Sequence, residues 1–262
     1  MLPFDNIVLL LSLCDALKDH LGRKNRRKAV FSLLALNLRT IAYIDGFNLY
    51  YSLLRHSGHK WLDVVKLVEN ILHAQDPTAQ LLCVKFFTAP VLANFARHGQ
   101  KSPEAQSAFW RALETRHQGK FEVIKGRHSS EEVNLPLVIS GAKLDRARTA
   151  HVWTLNEKQT DVNLTLHAYK DAISGAVDQV VLVTNDSDFA PVVDAIRHDT
   201  STRVGLILPL PAASGQHRRP SVSLTRHAHW ARKHILDAEL TAAQMPPVVP
   251  TRKKAILKPD HW

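Results

Sequence analysis

From residue 41 onward, short apolar runs alternate with longer amphipathic stretches. The runs 41–45, 81–87, 121–125, 179–184 and 203–208 are short and rich in Val, Ile, Leu and Phe, and they predict strands buried on both faces. The intervening stretches 48–56, 62–74, 103–118, 160–173 and 187–198 predict helices. Ser102-Pro103-Glu104 supplies a helix start signal for the third of these. In 160–173, Val162, Leu164, Leu166, Tyr169 and Ile173 fall broadly on one face. Residues 151–155 predict one further short extended piece. This succession predicts an α/β domain over residues 39–209, with a mostly parallel sheet between helices.

The flanks read differently. Residues 1–38 predict a helical prefix around the basic run Arg23 to Lys28, either a genuine extra element or an upstream extension from a wrongly chosen start codon. Residues 210–262 predict a polar linker (211–220), a basic helix (221–240) and a proline-rich tail (245–262).

Candidate chemistry gathers where strands end. Asp45 closes the first run and Gly46 follows it, allowing a sharp turn beneath a ligand. Asp186 and Asp188 flank Ser187 just after the run 179–184, and Asp161 opens the helical stretch 160–173. Any one of the last three serves equally well as a helix cap. Asp45 is different, because a charge that ends a buried strand needs a partner. Ligands bind at the carboxyl edge of open α/β sheets, and carboxylates gathered there repel one another unless a dication offsets their charge. Mg2+ or Mn2+ suits such oxygen donors, and an ion of this kind acidifies water and screens charge developing on phosphorus. In this scheme Asp45, Asp161 and Asp186 are ligands, directly or through water. Asp188 ligates or orients the attacking water, and Asn48 holds the phosphate or a coordinated water.

Charge adds a partner class. The net charge is +10, and residues 210–262 carry nine Lys/Arg against three Asp/Glu. Residues 1–40 hold seven against three, and the segment between is neutral. Basic flanks suit a polyanion such as RNA. Trp230, among basic residues, is a candidate for stacking on a base. Cys14 and Cys83 cannot build a disulfide framework, so a reduced, cytoplasmic setting is expected. The apolar run 7–14 is too short to span a membrane. Fifteen histidines include no HExxH, and His56, His59, His227 and His229 read as surface or RNA-facing residues.

The segments Ile44-Asp45-Gly46-Phe47-Asn48-Leu49-Tyr50, Glu157 to Leu164 and Val183-Thr184-Asn185-Asp186-Ser187-Asp188-Phe189 resemble the three signature blocks of the NYN domain family. That family lies in the PIN-like nuclease superfamily, and the resemblance extends to its LabA-like bacterial subgroup. It implies a Rossmann-like, three-layer PIN-type fold and a Mg2+- or Mn2+-dependent ribonuclease. Asp45, Asp161, Asp186 and Asp188 match the family's acids, and Asn48 its polar companion. Lys158 falls where relatives often carry a basic residue, Asn185 stands where many have Gly, and Ser187 lies between the paired acids; all three are weaker candidates for touching substrate. Asp171, three turns along the helix from Asp161, is a weak further acid. PIN-like domains often pair, which makes a homodimer an expectation as well.

Two alternatives stand beside the ribonuclease. Some members of that subgroup bear the name 6-hydroxy-3-succinoylpyridine monooxygenase, which demands a flavin or nicotinamide site. No two of the ten glycines lie two positions apart, so no GxGxxG fingerprint occurs. A non-catalytic RNA-binding module is the other alternative. It predicts broken acids, and all four acids are present.

Overall fold

A computed structural model describes residues 37–141, 143–212 and 219–262. The predicted prefix falls outside them except for its last two positions, and Leu38 already opens the first strand. All five predicted strands form: β1 (Leu38–Asp45), β2 (Ala79–Thr88), β3 (Phe121–Lys125), β6 (Gln179–Val183) and β7 (Arg203–Ile207). With β8 (Trp230–Arg232) they make a six-stranded sheet in the order β3-β2-β1-β6-β7-β8, parallel throughout.

The strand pleat sends alternate residues to two cores. Ala42, Ile44, Val181 and Val183 face one helical layer, while Tyr43, Val180 and Leu182 face the other. The first layer holds α2 (Val64–Gln75) and α3 (Lys101–Arg116); the second holds α4 (Thr160–Ile173) and α5 (Ala190–Asp199). The result is the expected three-layer α/β architecture. The helix predicted after β1 splits into α1 (Gly46–Leu49) and a wider π-helical turn, Tyr50–Leu54.

Asp63 starts α2 by accepting from the Lys66 N–H at 3.0 Å. The same carboxylate accepts from His117 at 2.7 Å and Arg116 at 3.2 Å, tying α2 to the end of α3. Burial pushes its carboxyl up, but these hydrogen bonds outweigh that and hold it below the ordinary carboxylate value.

Two expectations need correction, the buried face of α4 and the helix over 221–240, and two others gain detail. On α4 the buried positions are Thr160, Leu164, Ala168 and Ala172, whereas Val162, Leu166 and Ile173 are exposed. Small alanines let the helix sit close on the sheet, and a pattern weighted by hydrophobic bulk chose the wrong stripe. The short extended piece at 151–155 is the middle of β5 (Thr149–Lys158), which pairs antiparallel with β4 (Arg127–Pro136) in a separate hairpin. β4 has exposed residues on both faces, and β5 alternates in burial but carries Trp153 and Leu155 on its exposed face, so neither sequence shows a clear apolar period of two.

The basic helix over 221–240 is also absent. That segment forms α6 (Val222–His227), β8 and α7 (Asp237–Ala242). The His229 N–H donates to the Val204 carbonyl at 2.8 Å, and the Val204 N–H donates to His229 Nδ1 at 2.9 Å, so the chain pairs with β7 instead of coiling. Finally, the proline-rich tail is a packed wall: Met245, Val249 and Ile256 are buried, and the Trp262 ring meets Trp61 at 6.2 Å and Phe109 at 5.7 Å.

The added strand depends on a close approach. A Cβ at Gly205 would collide with the Trp230 ring, whose Nε1 donates to Gln179 Oε1 at 2.9 Å. Trp230 is therefore spent on packing β8, not held out for a base. Gly205→Val is expected to cost about 2 kcal/mol, read as a lower urea midpoint at unchanged slope.

Candidate functional site

The strand order reverses between β1 and β6, and the crevice at their carboxyl ends is where open α/β sheets hold ligands. Asp45 ends β1 there, only 5% exposed. Register pairs Ile44 with Val183, so the next residues, Asp45 and Thr184, emerge side by side. The Thr184 hydroxyl donates to Asp45 Oδ2 at 3.0 Å, and the Asn48 N–H donates to Oδ1 at 2.9 Å. Each oxygen keeps one lone pair for something else. Gly46 is required at this turn, since a Cβ would lie 2.7 Å from the Phe87 carbonyl oxygen.

Asn48 reaches across the crevice, its Oδ1 accepting from the Asn185 N–H at 3.0 Å. The Asp186 N–H donates to Thr184 Oγ1 at 3.1 Å, and Asp186 Oδ1 accepts from the Asp188 N–H at 3.0 Å. Asp186 thus caps the short 3-10 turn Ser187–Phe189, while Ser187 and Asp188 are exposed at the rim.

The third segment enters from the hairpin. Gln159 adopts the left-handed conformation, with φ of 80°, and turns β5 into α4. Glu157 fixes that turn by accepting from the N–H and hydroxyl of Thr160, leaving Asp161 exposed in the first turn of α4. Gly126 packs against the same corner; a Cβ there would meet the Lys158 carbonyl and the Thr160 hydroxyl.

The acids feel one another. Burial pushes the Asp45 carboxyl from its ordinary 3.8 up to about 6 against its two hydrogen bonds, and Asp161 and Asp186 add repulsion. Asp161, though exposed as a residue, has a partly desolvated carboxyl that is raised first by that desolvation, then by Glu157, Asp186 and Asp188. Carboxylates from three distant segments therefore share one electrostatic neighbourhood. Among the described residues no group of three or more His, Cys, Asp or Glu forms a ready metal cage. An all-oxygen donor set with raised carboxyls fits a hard dication held by one or two of these acids, with water completing the shell, as Mg2+ prefers.

The other sequence candidates fall into place. Lys158 is exposed, and its side chain makes no hydrogen bond or ion pair among the described residues. Asn185 spends its side chain on the returning chain: Nδ2 donates to the Arg219 carbonyl at 3.0 Å, and Oδ1 accepts from the Ser221 N–H at 2.8 Å. Asp171 does not join the acids; its Oδ2 accepts from Tyr43 at 2.7 Å and pairs with Lys85 at 2.5 Å. His59 and His227 face Asp237 and Asp194, and His229 serves the sheet edge.

Glu157 and Thr184 escaped the sequence reading. Both lie within the signature blocks quoted above, and that position is the signal each carries. A cavity of about 490 Å³ lies at the opposite, amino edge, lined by Leu38, Asp178 and Arg203 among others, away from all of these acids.

Comparison with known proteins identifies the family. Residues 39–224 match the model of the NYN domain. The chain is 40% identical over 241 residues to the 6-hydroxy-3-succinoylpyridine 3-monooxygenase HspA of Pseudomonas putida (strain DSM 28022 / S16), covering 86% of this chain and 75% of that protein. It also resembles a crystal structure of a protein of unknown function from Vibrio parahaemolyticus RIMD 2210633, with a TM-score of 0.45 and 18% identity, across 77% of this chain and 94% of the other. No described helix is long and apolar enough to cross a membrane.

Proposed function

Because this chain belongs to the NYN domain family, a nuclease-like group with the PIN-like fold, we propose that it is a metal-dependent ribonuclease hydrolysing RNA phosphodiester bonds at the carboxyl edge of β1 and β6. What supports the reading is that Asp45 and the turn carrying Asp186 and Asp188 flank the strand-order reversal, with Asp45 pushed up to about 6 by burial and by repulsion from Asp161 and Asp186. Mg2+ or Mn2+ bound there would supply positive charge beside the phosphate and a more acidic water. Asp45 and Asp186 are oriented for this by Thr184, Asn48 and the turn at Ser187. In this reading Asp161 approaches from α4, and exposed Asp188 would accept a proton from, or orient, the attacking water. Asn48 bridges the two loops, and Lys158 stands free to meet a phosphate oxygen.

The test uses purified full-length protein and end-labelled RNA. Cleavage is expected with Mn2+ and is expected to vanish with chelator; absence of cleavage across Mg2+ and Mn2+ would refute the proposal. RNA retention without turnover in any metal would instead favour a binding module.

The 40% identity to a protein named as a pyridine monooxygenase favours a second reading, oxygenation of a substituted pyridine. That reading places a nucleotide cofactor at this edge, where the loop after β1 presents Asp45 and the loop after β6 presents Asp186 and Asp188. Such acids repel a pyrophosphate. A flavin absorbance in the purified protein, or NADH consumption with 6-hydroxy-3-succinoylpyridine, would establish the oxygenase in its place.

A further inference from the structure

Half of the described Phe, Trp and Tyr side chains are buried, Tyr43, Trp61 and Phe87 fully. The turns that follow Asp45 do the opposite. Tyr50 and Tyr51 are 37% and 51% exposed, and Phe47 is half-buried beside them. The rings are ordered against one another. Phe47 and Tyr51 lie nearly parallel, 12° apart with centroids at 6.4 Å, and Tyr50 meets Tyr51 edge-on at 5.3 Å. His128, at the base of the hairpin, closes the group edge-on to Phe47 at 5.8 Å, held by its Nδ1 on the Pro90 carbonyl at 2.9 Å.

Two features say what this shelf is for. It is continuous with the acidic edge, since Phe47 lies two residues from Asp45 and Gly126, next to Arg127, packs on the Asp161 corner. It also carries positive charge: the Arg55 guanidinium lies 5.4 Å over the Tyr51 ring. Flat exposed rings with cations alongside bind unpaired nucleic-acid bases by stacking while the cations meet the backbone. The π-helical turn at Tyr50–Leu54 widens the helix where Tyr50 and Tyr51 emerge, and such bulges recur at functional sites.

We infer that Tyr51, supported by Phe47 and His128, is the stacking platform for an unpaired base next to the scissile phosphate, with Arg55 contacting the backbone. The inference rests on the ribonuclease reading and gives Tyr51 a positioning and specificity role within it. A paired base cannot lie on the shelf without leaving its helix, so the platform selects single-stranded segments.

The test measures fluorescence anisotropy of a fluorescein-labelled single-stranded oligoribonucleotide in chelator, where no cleavage intervenes. Tyr51→Ala is expected to weaken binding about tenfold, while Tyr51→Phe, which keeps the ring, stays near wild type. An oligonucleotide with one abasic position is expected to bind wild type more weakly than the intact strand, and to show no such penalty with Tyr51→Ala. With Mn2+, KM is expected to rise about tenfold for Tyr51→Ala with kcat little changed. Equal binding by wild type and Tyr51→Ala, or an equal abasic penalty in both, would overturn the platform. Tyr51-dependent binding without acid-dependent cleavage would support the platform while removing the nuclease chemistry, so the two failures read differently.

Discussion

Asp45→Asn is expected to lower Mn2+-dependent RNA cleavage by roughly 10³-fold, the loss of several kcal/mol of charge stabilisation at the phosphate. The same change is expected to make the metal-free protein more stable. Asp45 is almost fully buried, and its folded value of about 6 lies above the ordinary 3.8. Between those values the folded chain keeps a proton that the unfolded chain has released, so stability falls as pH rises from about 4 to about 6. Above that window the full penalty remains. Asn carries no charge, and after allowing for altered bonds to Asn48 and Thr184 it should recover about 1–2 kcal/mol at pH 8. Thermal melts in chelator at pH 4.5 and pH 8 check both halves: the variant's advantage must grow with pH. Asp186→Asn should share the catalytic loss, and cleavage by either variant at the wild-type rate would remove the acids from the chemistry.

Asp63→Ala is expected to be the most damaging structural substitution, costing about 3–5 kcal/mol. The carboxylate is fully buried and serves three donors, the Lys66 N–H, His117 and Arg116. Removing it uncaps α2 and leaves His117 and Arg116 facing an apolar corner. Because the folded carboxyl lies below its ordinary value, its contribution is complete above about pH 4 and is lost as pH falls further. Urea unfolding of wild type at neutral pH and near pH 3 should show that loss, and Asp63→Ala should be less sensitive to the same acid step.

The sheet was legible because parallel strands are apolar on both sides and stand out as continuous runs, as in Gln179–Val183. The acid positions were legible for a related reason: a charge that ends such a run, as Asp45 does, has few structural excuses. What escaped depends on partners distant in sequence. Leu166 and Ala168 on α4 cannot be ranked without knowing how closely the helix meets the sheet. Nothing local in residues 221–240 says that His229 will bind Val204 and recruit a sixth strand. Asp171 looked like a companion of Asp161 until Lys85 and Tyr43, from neighbouring strands, claimed it. Glu157 and Thr184 lie inside the signature blocks, but their roles are to hold other residues, and nothing in the residue type announces that.

The hydroxyl contact between Thr184 and Asp45 joins positions 139 residues apart. Strand pairs with such long intervening loops form late, after the nearer ones have condensed. The acidic edge therefore comes into being only when nearly all of the sheet has been synthesised and closed. A nascent or truncated chain ending before β6 carries Asp45 and Asp161 but lacks the opposing loop. On the proposed ribonuclease reading, such a chain is expected to leave the message from which it is being translated uncut until its central seam is shut.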